Sequence, residues 1–543
     1  MEIYRGKGVY GAVAVGKASV FKRQKAEVRR TVTEDTAAEI ARVERAKALA
    51  AEQLQAIHDK ALKEAGEAEA EIFEIHIMML DDDDYNESIR NIIESEKVNA
   101  EYAVSVTSDN FAEMFASMDD EYMQARSADV KDVSTRLIAC LTGCAADYDS
   151  GTEKMIVCAD DLAPSETVSL DKDRVLAFVT ASGSSNSHTA ILARNMNIPA
   201  VICAGEDFLS AVRDGMMMIA DGHTGEVYLS PDEETLKRME EKQAEDERRK
   251  ILLEELRGKD NVTLDGRRID IFANIGGVAG ADKALANDAG GIGLFRSEFL
   301  YLESEDYPTE ESQFTAYRSV LEKMKGRKVV VRTLDIGADK QIGYFNLDKE
   351  ENPALGFRAI RICLTRPEIF RTQLRALYRA SAFGDLSIMF PMITSVSEVE
   401  QCLEMCEKVK HELRDEGIAF NENTETGIMI ETPAAAVISD RLAPLVDFFS
   451  VGTNDLTQYT LACDRQNAKL EMFVDTHHEA VLRLIETAAK NAHENGAWIG
   501  ICGELAADLT LTETFLRMGI DELSVSAPYI LPLREKVRSI SLT

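Results

Sequence analysis

Four arginines in the second half of the sequence each lie at or shortly after a short apolar run: Arg296, Arg332, Arg358 and Arg465. A guanidinium group binds phosphate and carboxylate groups through paired hydrogen bonds, because its planar donors match the geometry of these anions. A lone arginine is more often a surface group or half of an ion pair. Several arginines around one pocket would instead favour a substrate that contains both a phosphate and a carboxylate.

Two acidic residues and a thiol occupy similar positions. Glu431 and the pair Asn454 and Asp455 follow two further apolar runs, and Cys502 follows a third. The two carboxylates would repel each other without a cation, and hard oxygen ligands beside a phosphate favour Mg²⁺, which keeps few protein ligands. Cys502 is either a buried thiol or, inside a charged pocket, a proton donor or a nucleophile.

His188, one of only eight histidines, follows the small and polar stretch GSSNS and precedes a helical pattern. Ser187 or Asn186 could cap that helix and leave His188 in its first turn. Free backbone N–H groups and the helix dipole would stabilise a phosphate there, and an imidazole nitrogen is a good nucleophile toward phosphorus. The alternative is a histidine that only caps the helix or lies buried.

The apolar runs that follow Val262 are the elements that must position the arginines, the carboxylates and the thiol. There are eight over about 280 residues: RIDIFANIG, GIGLFRSE, KVVVRTLD, LSIMFPMI, GIMIETP, VDFFSVGTND, AWIGICGE and ELSVS. Uniformly apolar strands are typical of a parallel sheet covered by helices. Eight such units predict a C-terminal TIM (β/α)8 barrel with its active site at the carboxyl ends of the strands.

The first half of the sequence predicts an α/β domain that is interrupted by a helical insertion. Strand candidates occupy the first 24 residues and resume after Glu153, and apolar residues recur at helical spacing from Thr33 to Leu141. The fold class is therefore multidomain α/β. The predicted boundaries are residues 1–30 with 145–230 for the α/β domain, 31–144 for the inserted helical bundle, 231–260 for a linker helix and 261–543 for the barrel.

The composition restricts the partners. The chain has 543 residues and a formal net charge of −34, which argues against nucleic acid and anionic membranes because both repel an acidic surface. A basic protein, or an anionic metabolite in a local basic pocket, is compatible with it. We expect no signal peptide and no membrane insertion, since no apolar run reaches the roughly 18 residues of a span. The scattered cysteines predict reduced thiols and a cytoplasmic location.

Long stretches of the sequence resemble one enzyme family. SHTAILARNMNIPAV is similar to the phosphohistidine segment shared by Enzyme I of the phosphoenolpyruvate:sugar phosphotransferase system and by pyruvate phosphate dikinases. GLFRSEFLYL, VVVRTLDIGADK, EENPALGFRAIRI, IMIETPAAA, FFSVGTNDLTQYTLACDR and GICGELAAD resemble the barrel half of the same PEP-utilising enzymes, in the same order. FEIHIMMLDDD and RSADVKDVSTRL resemble the part of Enzyme I that docks the phosphocarrier protein HPr. The resemblance covers essentially the whole chain.

The resemblance implies a two-step relay. His188 takes the phosphoryl group from phosphoenolpyruvate, releasing pyruvate, and passes it to a histidine of HPr in the first step of sugar uptake by the phosphotransferase system. The α/β domain would be a swivelling phosphohistidine domain, and the barrel would bind phosphoenolpyruvate and form a homodimer. The implied roles are substrate binding for Arg296, Arg332, Arg358, Asn454 and Arg465, Mg²⁺ binding for Glu431 and Asp455, protonation of the enolate for Cys502, and support of the phosphohistidine for Thr189.

The sequence departs from the family pattern at two positions. Ser185 replaces a usually basic residue three positions before the active histidine, and Ala338 replaces the second glycine of a Gly-Gly pair. We expect the serine to affect the rate of phosphoryl transfer or the stability of the phosphohistidine more than the type of reaction.

Three alternative functions are compatible with parts of the sequence. A pyruvate phosphate dikinase or phosphoenolpyruvate synthase would need a nucleotide-binding module, and no GxxxxGK[ST] phosphate loop is found. A non-catalytic regulatory paralogue that binds HPr would be expected to have lost catalytic residues. All the proposed catalytic residues are present in this sequence. An unrelated metal-dependent barrel enzyme leaves the segment around His188 unexplained.

Overall fold

The computed structural model describes residues 1–543 with the exception of 22–27, 65–66, 117–120, 144–152, 163–165, 168–169, 172–173, 184–188, 191–192, 194–197, 303, 305, 339–341, 466, 468–469 and 471–472. For residues 62–64, 67–71, 116 and 121–126 it describes the backbone alone. The chain forms two compact units, Met1–Lys250 and Ile251–Thr543.

The first unit contains an eight-stranded sheet. Its strands are β1 Glu2–Arg5, β2 Lys7–Tyr10, β3 Val13–Val20, β4 Met155–Ala159, β5 Val175–Thr180, β6 Ala200–Ile202, β7 Met217–Asp221 and β8 Glu226–Leu229. Their order is β1-β8-β7-β3-β4-β5-β6-β2. The central strands β3 to β6 are parallel, and the flanking pairs are antiparallel. Because β4 and β5 are buried almost throughout, they have the uniformly apolar composition of strands covered on both faces.

Five helices lie between β3 and β4 in the chain: Thr36–Glu64, Glu67–Asp81, Asp83–Glu96, Ala100–Ala116 and Glu121–Thr142. They share a core in which Val43, Ala46, Ala50 and Leu54 recur at helical spacing along the first of them. The helix Asp83–Glu96 begins where the side chain of Asp82 accepts a hydrogen bond from the backbone N–H of Tyr85. Two further helices, Glu206–Ala211 and Glu233–Glu254, follow β6 and β8, and the second spans most of the predicted linker helix.

The second unit contains a closed barrel of eight parallel strands, so the predicted barrel is confirmed. Its strands are β9 Asp270–Ile275, β10 Ile292–Arg296, β11 Val329–Arg332, β12 Leu386–Phe390, β13 Glu425–Ile430, β14 Phe448–Val451, β15 Trp498–Ile501 and β16 Glu522–Val525. Seven of the eight apolar runs contain a whole strand, and GIMIETP contains the last four residues of β13.

Helices surround the barrel. The α-helices are Ala279–Ala286, Phe299–Leu302, Glu310–Met324, Ile360–Thr365, Pro367–Ala380, Val396–Glu416, Pro433–Val437, Ser439–Leu442, Thr453–Leu461, Glu479–Glu494, Thr512–Met518 and Ile530–Ser539. The short 3₁₀ helices are Gly343–Phe345, Pro353–Leu355, Ser381–Phe383, Ala443–Leu445, Glu504–Ala507 and Ala527–Tyr529. Among the described helices of both units, none combines the length and the apolar character that crossing a bilayer requires.

Side chains of the strands alternate between the barrel interior and the helical layer. Phe448 of β14 and Trp498 of β15 lie in the interior and stack with 4.5 Å between their ring centres. Phe449 and Ile499, the next residues of the same strands, belong to the large outer core. This alternation directs Cys502, four residues after Trp498, back toward the interior.

Candidate active site

A cavity of about 720 Å³ lies at the carboxyl ends of the barrel strands. Seven of the site residues proposed from the sequence line it together: Arg296, Arg332, Arg358, Asn454, Asp455, Arg465 and Cys502. The barrel brings them together because they lie at or beyond the carboxyl ends of four strands, β10, β11, β14 and β15.

Arg332 and Arg358 lie buried at this cavity and share a carboxylate. Arg332 forms an ion pair with Asp335 at 3.0 Å and another with Glu298. Arg358 donates a hydrogen bond to the other oxygen of Asp335 at 2.8 Å. Burial alone would lower the pKa of both guanidiniums, but the carboxylates beside them outweigh it and raise both pKa values. Both arginines therefore remain charged, and their fixed positions pre-organise them for an anion.

The other two arginines are exposed. Arg296 ends β10, and the guanidinium of Arg465 lies 3.7 Å from Asp455 with 43% of its side chain exposed. Their exposure makes them accessible to a charged ligand that enters the cavity from solvent. The cavity thus contains two buried and two exposed guanidiniums.

The positions of Asn454 and Asp455 differ in one detail from the sequence interpretation. We expected them at the end of a strand, but β14 ends at Val451, and both residues lie in the first turn of the helix Thr453–Leu461. The amide of Asn454 donates to Glu504 at 3.3 Å and its oxygen accepts from the backbone N–H of Glu504 at 3.1 Å. These two bonds connect the loops that follow β14 and β15.

Glu431 is a fully buried carboxylate directly after β13. Its Oε1 accepts a hydrogen bond of 2.5 Å from the backbone N–H of Met392, whose left-handed φ of 55° aims that N–H at the carboxylate. Burial, and then Asp455 and Asp335, raise the pKa of Glu431 to about 8, although Arg332 opposes them. A cation at this position would reverse the shift.

Two carboxylate oxygens at this point lack hydrogen-bond partners among the described residues: Oε2 of Glu431 and Oδ1 of Asp455. A buried oxygen without a partner costs free energy unless a ligand satisfies it. Gly452 borders Glu431 so closely that an added Cβ would lie 3.1 Å from Oε2, so any side chain there would crowd the oxygen. Within the described parts of the chain, no group of three or more His, Cys, Asp and Glu side chains has the arrangement of a complete metal site. The pair fits a hard cation that takes its remaining ligands from substrate and water.

Cys502 follows β15 and is buried beside the arginines. Its Sγ donates to the backbone carbonyl of Val451 at 3.6 Å. Burial raises the pKa of the thiol to about 12, so it is protonated at neutral pH. A neutral thiol can donate a proton, whereas the thiolate is the form that acts as a nucleophile.

Sequence reasoning missed two residues of the site, Glu298 and Asp335. Each follows a site arginine by two or three positions, in FRSE and RTLD. The signal was present, because a buried arginine at a strand end needs a nearby carboxylate for its own charge. Both residues set the charge and orientation of Arg332.

The candidate phosphohistidine segment follows β5 in the first unit. His188, with Asn186 and Ser187, lies outside the described residues. Thr189 is fully buried, and its hydroxyl donates to Asp161 at 3.4 Å. Ser182 donates to Asp160 at 2.9 Å. These contacts join the segment to the residues that follow β4, at the carboxyl ends of two parallel strands.

Comparison with known families covers both units. The description "PEP-utilising enzyme, PEP-binding domain" matches residues 250–542. The descriptions "PEP-utilising enzyme, N-terminal" and "PEP-utilising enzyme, mobile domain" match residues 5–126 and 151–225.

Curated relatives match nearly the whole chain. It is 43% identical over 538 residues to the phosphoenolpyruvate-protein phosphotransferase of Priestia megaterium, covering 99% of this chain and 94% of that protein. It is 44% identical over 544 residues to that of Geobacillus stearothermophilus, with coverage of 99% and 94%. For that of Haemophilus influenzae the identity is 42% over 532 residues, with coverage of 97% and 92%. The chain therefore belongs to the phosphoenolpyruvate–protein phosphotransferase family of PEP-utilising enzymes.

Proposed function

We propose that this protein transfers the phosphoryl group of phosphoenolpyruvate to its own His188 and then to a histidine of HPr, releasing pyruvate, as the first step of sugar uptake by a phosphotransferase system. The names of its relatives support the donor and the class of reaction. The observation on which the proposal depends is the cavity, which is lined by four guanidiniums, a thiol and the carboxylate of Asp455. The buried carboxylate of Glu431 lies directly behind Gly452 of its wall.

The arginines suit a substrate with a phosphate and a carboxylate. Phosphoryl transfer through a loose transition state needs positioning and charge neutralisation more than covalent help. Arg332 and Arg358 supply fixed positive charge, and Arg296 and Arg465 close around the anion from the exposed side. Asn454 helps to position the substrate.

Glu431 and Asp455 are the proposed ligands of Mg²⁺. When bound, the ion neutralises charge on the transferring phosphoryl group. The residues themselves already provide what a hard cation needs, which is two oxygens without hydrogen-bond partners among the described residues.

Cys502 is the proposed proton donor. Loss of the phosphoryl group leaves the enolate of pyruvate, which needs a proton on C3. The thiol is protonated at neutral pH, and its Sγ–H bond breaks as the new C–H bond forms.

The same proposal assigns the remaining parts of the chain. Residues 31–144 form the HPr-binding domain, 1–30 with 145–230 the swivelling phosphohistidine domain with Thr189 as support, 231–260 the linker, and 261–543 the domain that binds phosphoenolpyruvate and forms the homodimer. Met78, which is 71% exposed in the helix Glu67–Asp81, offers an apolar contact for HPr. A cytoplasmic location follows from the proposed reaction, since its donor is a cytosolic metabolite.

Labelled phosphoenolpyruvate tests the proposal directly. Incubation with [³²P]phosphoenolpyruvate and Mg²⁺ should give a protein label that is labile in acid and stable in base, and added HPr should remove it. Omission of Mg²⁺ is the control. A protein that takes no label, or that takes label only from ATP, would contradict the proposed function.

Replacement of Arg332 by lysine should lower kcat/KM by about 10²-fold, because lysine keeps the charge but loses the planar fork that contacts Glu298 and Asp335. Arg534→Lys is the matched control. Arg534 is also buried and also ion-paired, with Asp288, but Asp288 precedes β10 at the opposite end of the barrel. Steady-state kinetics and thermal unfolding of both variants check the prediction. Equal losses of activity in the two variants would show that stability, and not the site, is responsible.

A further inference from the structure

Cys502 lies just beyond its strand, where the pairing with one neighbouring strand has already ended. The pairing of β15 with β16 ends at Ile501 and Leu523, one residue before the thiol. On the opposite side, the backbone N–H of Cys502 still donates to the carbonyl of Val451 at 3.1 Å. A side chain that must act in one direction needs its backbone held on both sides, because a loop residue is otherwise free to shift.

Asn274 of β9 supplies a contact on the side where the strand pairing ends. Its Nδ2 donates to the backbone carbonyl of Cys502 at 3.0 Å and to that of Ser524 at 3.2 Å. Ala273 and Ile275 belong to the outer core, so Asn274 between them faces the barrel interior. It is half-buried and is not among the described residues that line the cavity. Its amide therefore acts on Cys502 and not on a ligand.

The orientation of this amide is fixed by its partners. Oδ1 of Asn274 accepts a hydrogen bond of 2.7 Å from the hydroxyl of Ser524. Only the NH₂ group can face the two carbonyls, since an oxygen in its place would meet two further acceptors. Three hydrogen bonds thus hold the amide in one position, and one of them ends on the residue that carries the thiol.

Two glycines leave room for this arrangement. An added Cβ at Gly293 would lie 2.5 Å from Oγ of Ser524, so a side chain there would displace the hydroxyl that orients Asn274. An added Cβ at Gly503 would lie 1.9 Å from Oγ1 of Thr453. The residue that follows the thiol is therefore packed closely against the helix after β14, while the Asn274 amide holds the opposite side.

We propose that Asn274 is a positioning residue for proton transfer: its amide, oriented by Ser524, holds the backbone of Cys502 so that the Sγ–H bond points at one face of C3 of the enolate. The proposal rests on the proposed role of Cys502 as proton donor. It deepens that role, because a fixed thiol protonates one face of the enolate, whereas water in the cavity reaches both. A displaced thiol also transfers its proton more slowly, since small errors in the position of reacting groups lower rates strongly.

The stereochemistry of the methyl group of pyruvate measures the position of the thiol. Phosphoenolpyruvate with tritium at one defined position on C3 is incubated in D₂O with Mg²⁺ and an excess of HPr. The pyruvate formed then carries hydrogen, deuterium and tritium on one carbon. Immediate reduction to lactate preserves this methyl group, and its chirality reports which face of C3 received the deuteron.

Asn274→Leu keeps the approximate size of the side chain, adds no charge and removes all three hydrogen bonds. We expect kcat/KM for phosphoenolpyruvate to fall about tenfold or more, and at least about half of the face selectivity to be lost. Transfer of phosphate from phospho-HPr back to the protein should keep its wild-type rate, since that step involves no enolate. Ser524→Ala should change rate and selectivity in the same direction by a smaller factor, and it decides the question if Asn274→Leu does not fold.

Asn491→Leu is the matched control. Asn491 is also half-buried, and its amide also donates to a serine hydroxyl, that of Ser439 at 2.8 Å, but it lies in the outer helix Glu479–Glu494. Its kcat/KM and its face selectivity should equal those of wild type.

Four outcomes would overturn an assignment. A wild-type rate, or a lower rate with full face selectivity, in Asn274→Leu excludes the positioning role and leaves a structural one. Full selectivity in Ser524→Ala excludes it when Asn274→Leu does not fold. A racemic methyl group from the wild-type protein contradicts a fixed thiol. Absence of any pyruvate from the wild-type protein contradicts the proposed function itself, which separates the two failures.

Discussion

Replacement of His188 by alanine is expected to abolish labelling of the protein by [³²P]phosphoenolpyruvate and transfer of the label to HPr. The proposed reaction has one covalent acceptor, so no other side chain can take its place. The remaining seven histidines all lie in described parts of the chain, and each already contacts a carboxylate or a backbone N–H: His58, His76, His223, His411, His477, His478 and His493. Rapid quenching and gel autoradiography would measure the label.

His223→Ala is the matched control for this variant. His223 belongs to the same unit as His188 and lies 3.2 Å from Asp246, so its loss removes a histidine and one contact without removing the acceptor. It should be labelled to the wild-type level. Labelling of His188→Ala would place the acceptor elsewhere and contradict the proposed relay.

The barrel and most of its site could be predicted because the signals are local. A strand covered on both faces must be apolar along its length, as in GIMI of β13, and the first polar residue after it falls at the carboxyl end of the barrel. Glu431 and Cys502 were found in this way. Similarity to known motifs added their roles, which spacing alone does not determine.

The pairings within the site could not be predicted, because they depend on packing across the barrel. Oε1 of Glu431 is satisfied by Met392, 39 positions earlier in the chain. Glu522 lies between Gly500 of β15 and Asp270 of β9 because of the register of these strands with β16. The pairing of β16 with β9 joins the last strand of the barrel to the first. Glu522 was therefore taken only as the start of a strand. A closed barrel brings such residues together, although their spacing in the sequence gives no indication that they are neighbours.

Replacement of Glu431 by glutamine is expected to lower phosphoryl transfer about 10³-fold, because it removes a ligand and half of the negative charge that would hold Mg²⁺. Glutamine has the same shape, and its oxygen can still accept from the backbone N–H of Met392, so folding should be retained. Glu351→Gln is the matched control, since Glu351 also lines the cavity but is exposed; its kcat should remain within about twofold. Thermal unfolding of both variants checks that a loss of activity is not caused by a loss of stability.

The pKa of Glu431 predicts how Mg²⁺ activation depends on pH. Because the pKa is about 8 without the ion, Glu431 holds a proton at neutral pH that a cation must displace. Between pH 4.5 and pH 8 the folded protein binds this proton and the unfolded chain does not, so without Mg²⁺ the protein should lose stability as the pH rises through this range, and the loss should level off above pH 8. Binding of Mg²⁺ should tighten over the same range, by about fivefold between pH 7 and pH 8. The concentration of Mg²⁺ that half-activates the wild-type enzyme should fall accordingly, and calorimetric titration of Glu431→Gln should show no such dependence. Equal activation at both pH values would mean that the carboxylate is already ionised without the metal, and that Arg332 outweighs burial and the repulsion from Asp455 and Asp335.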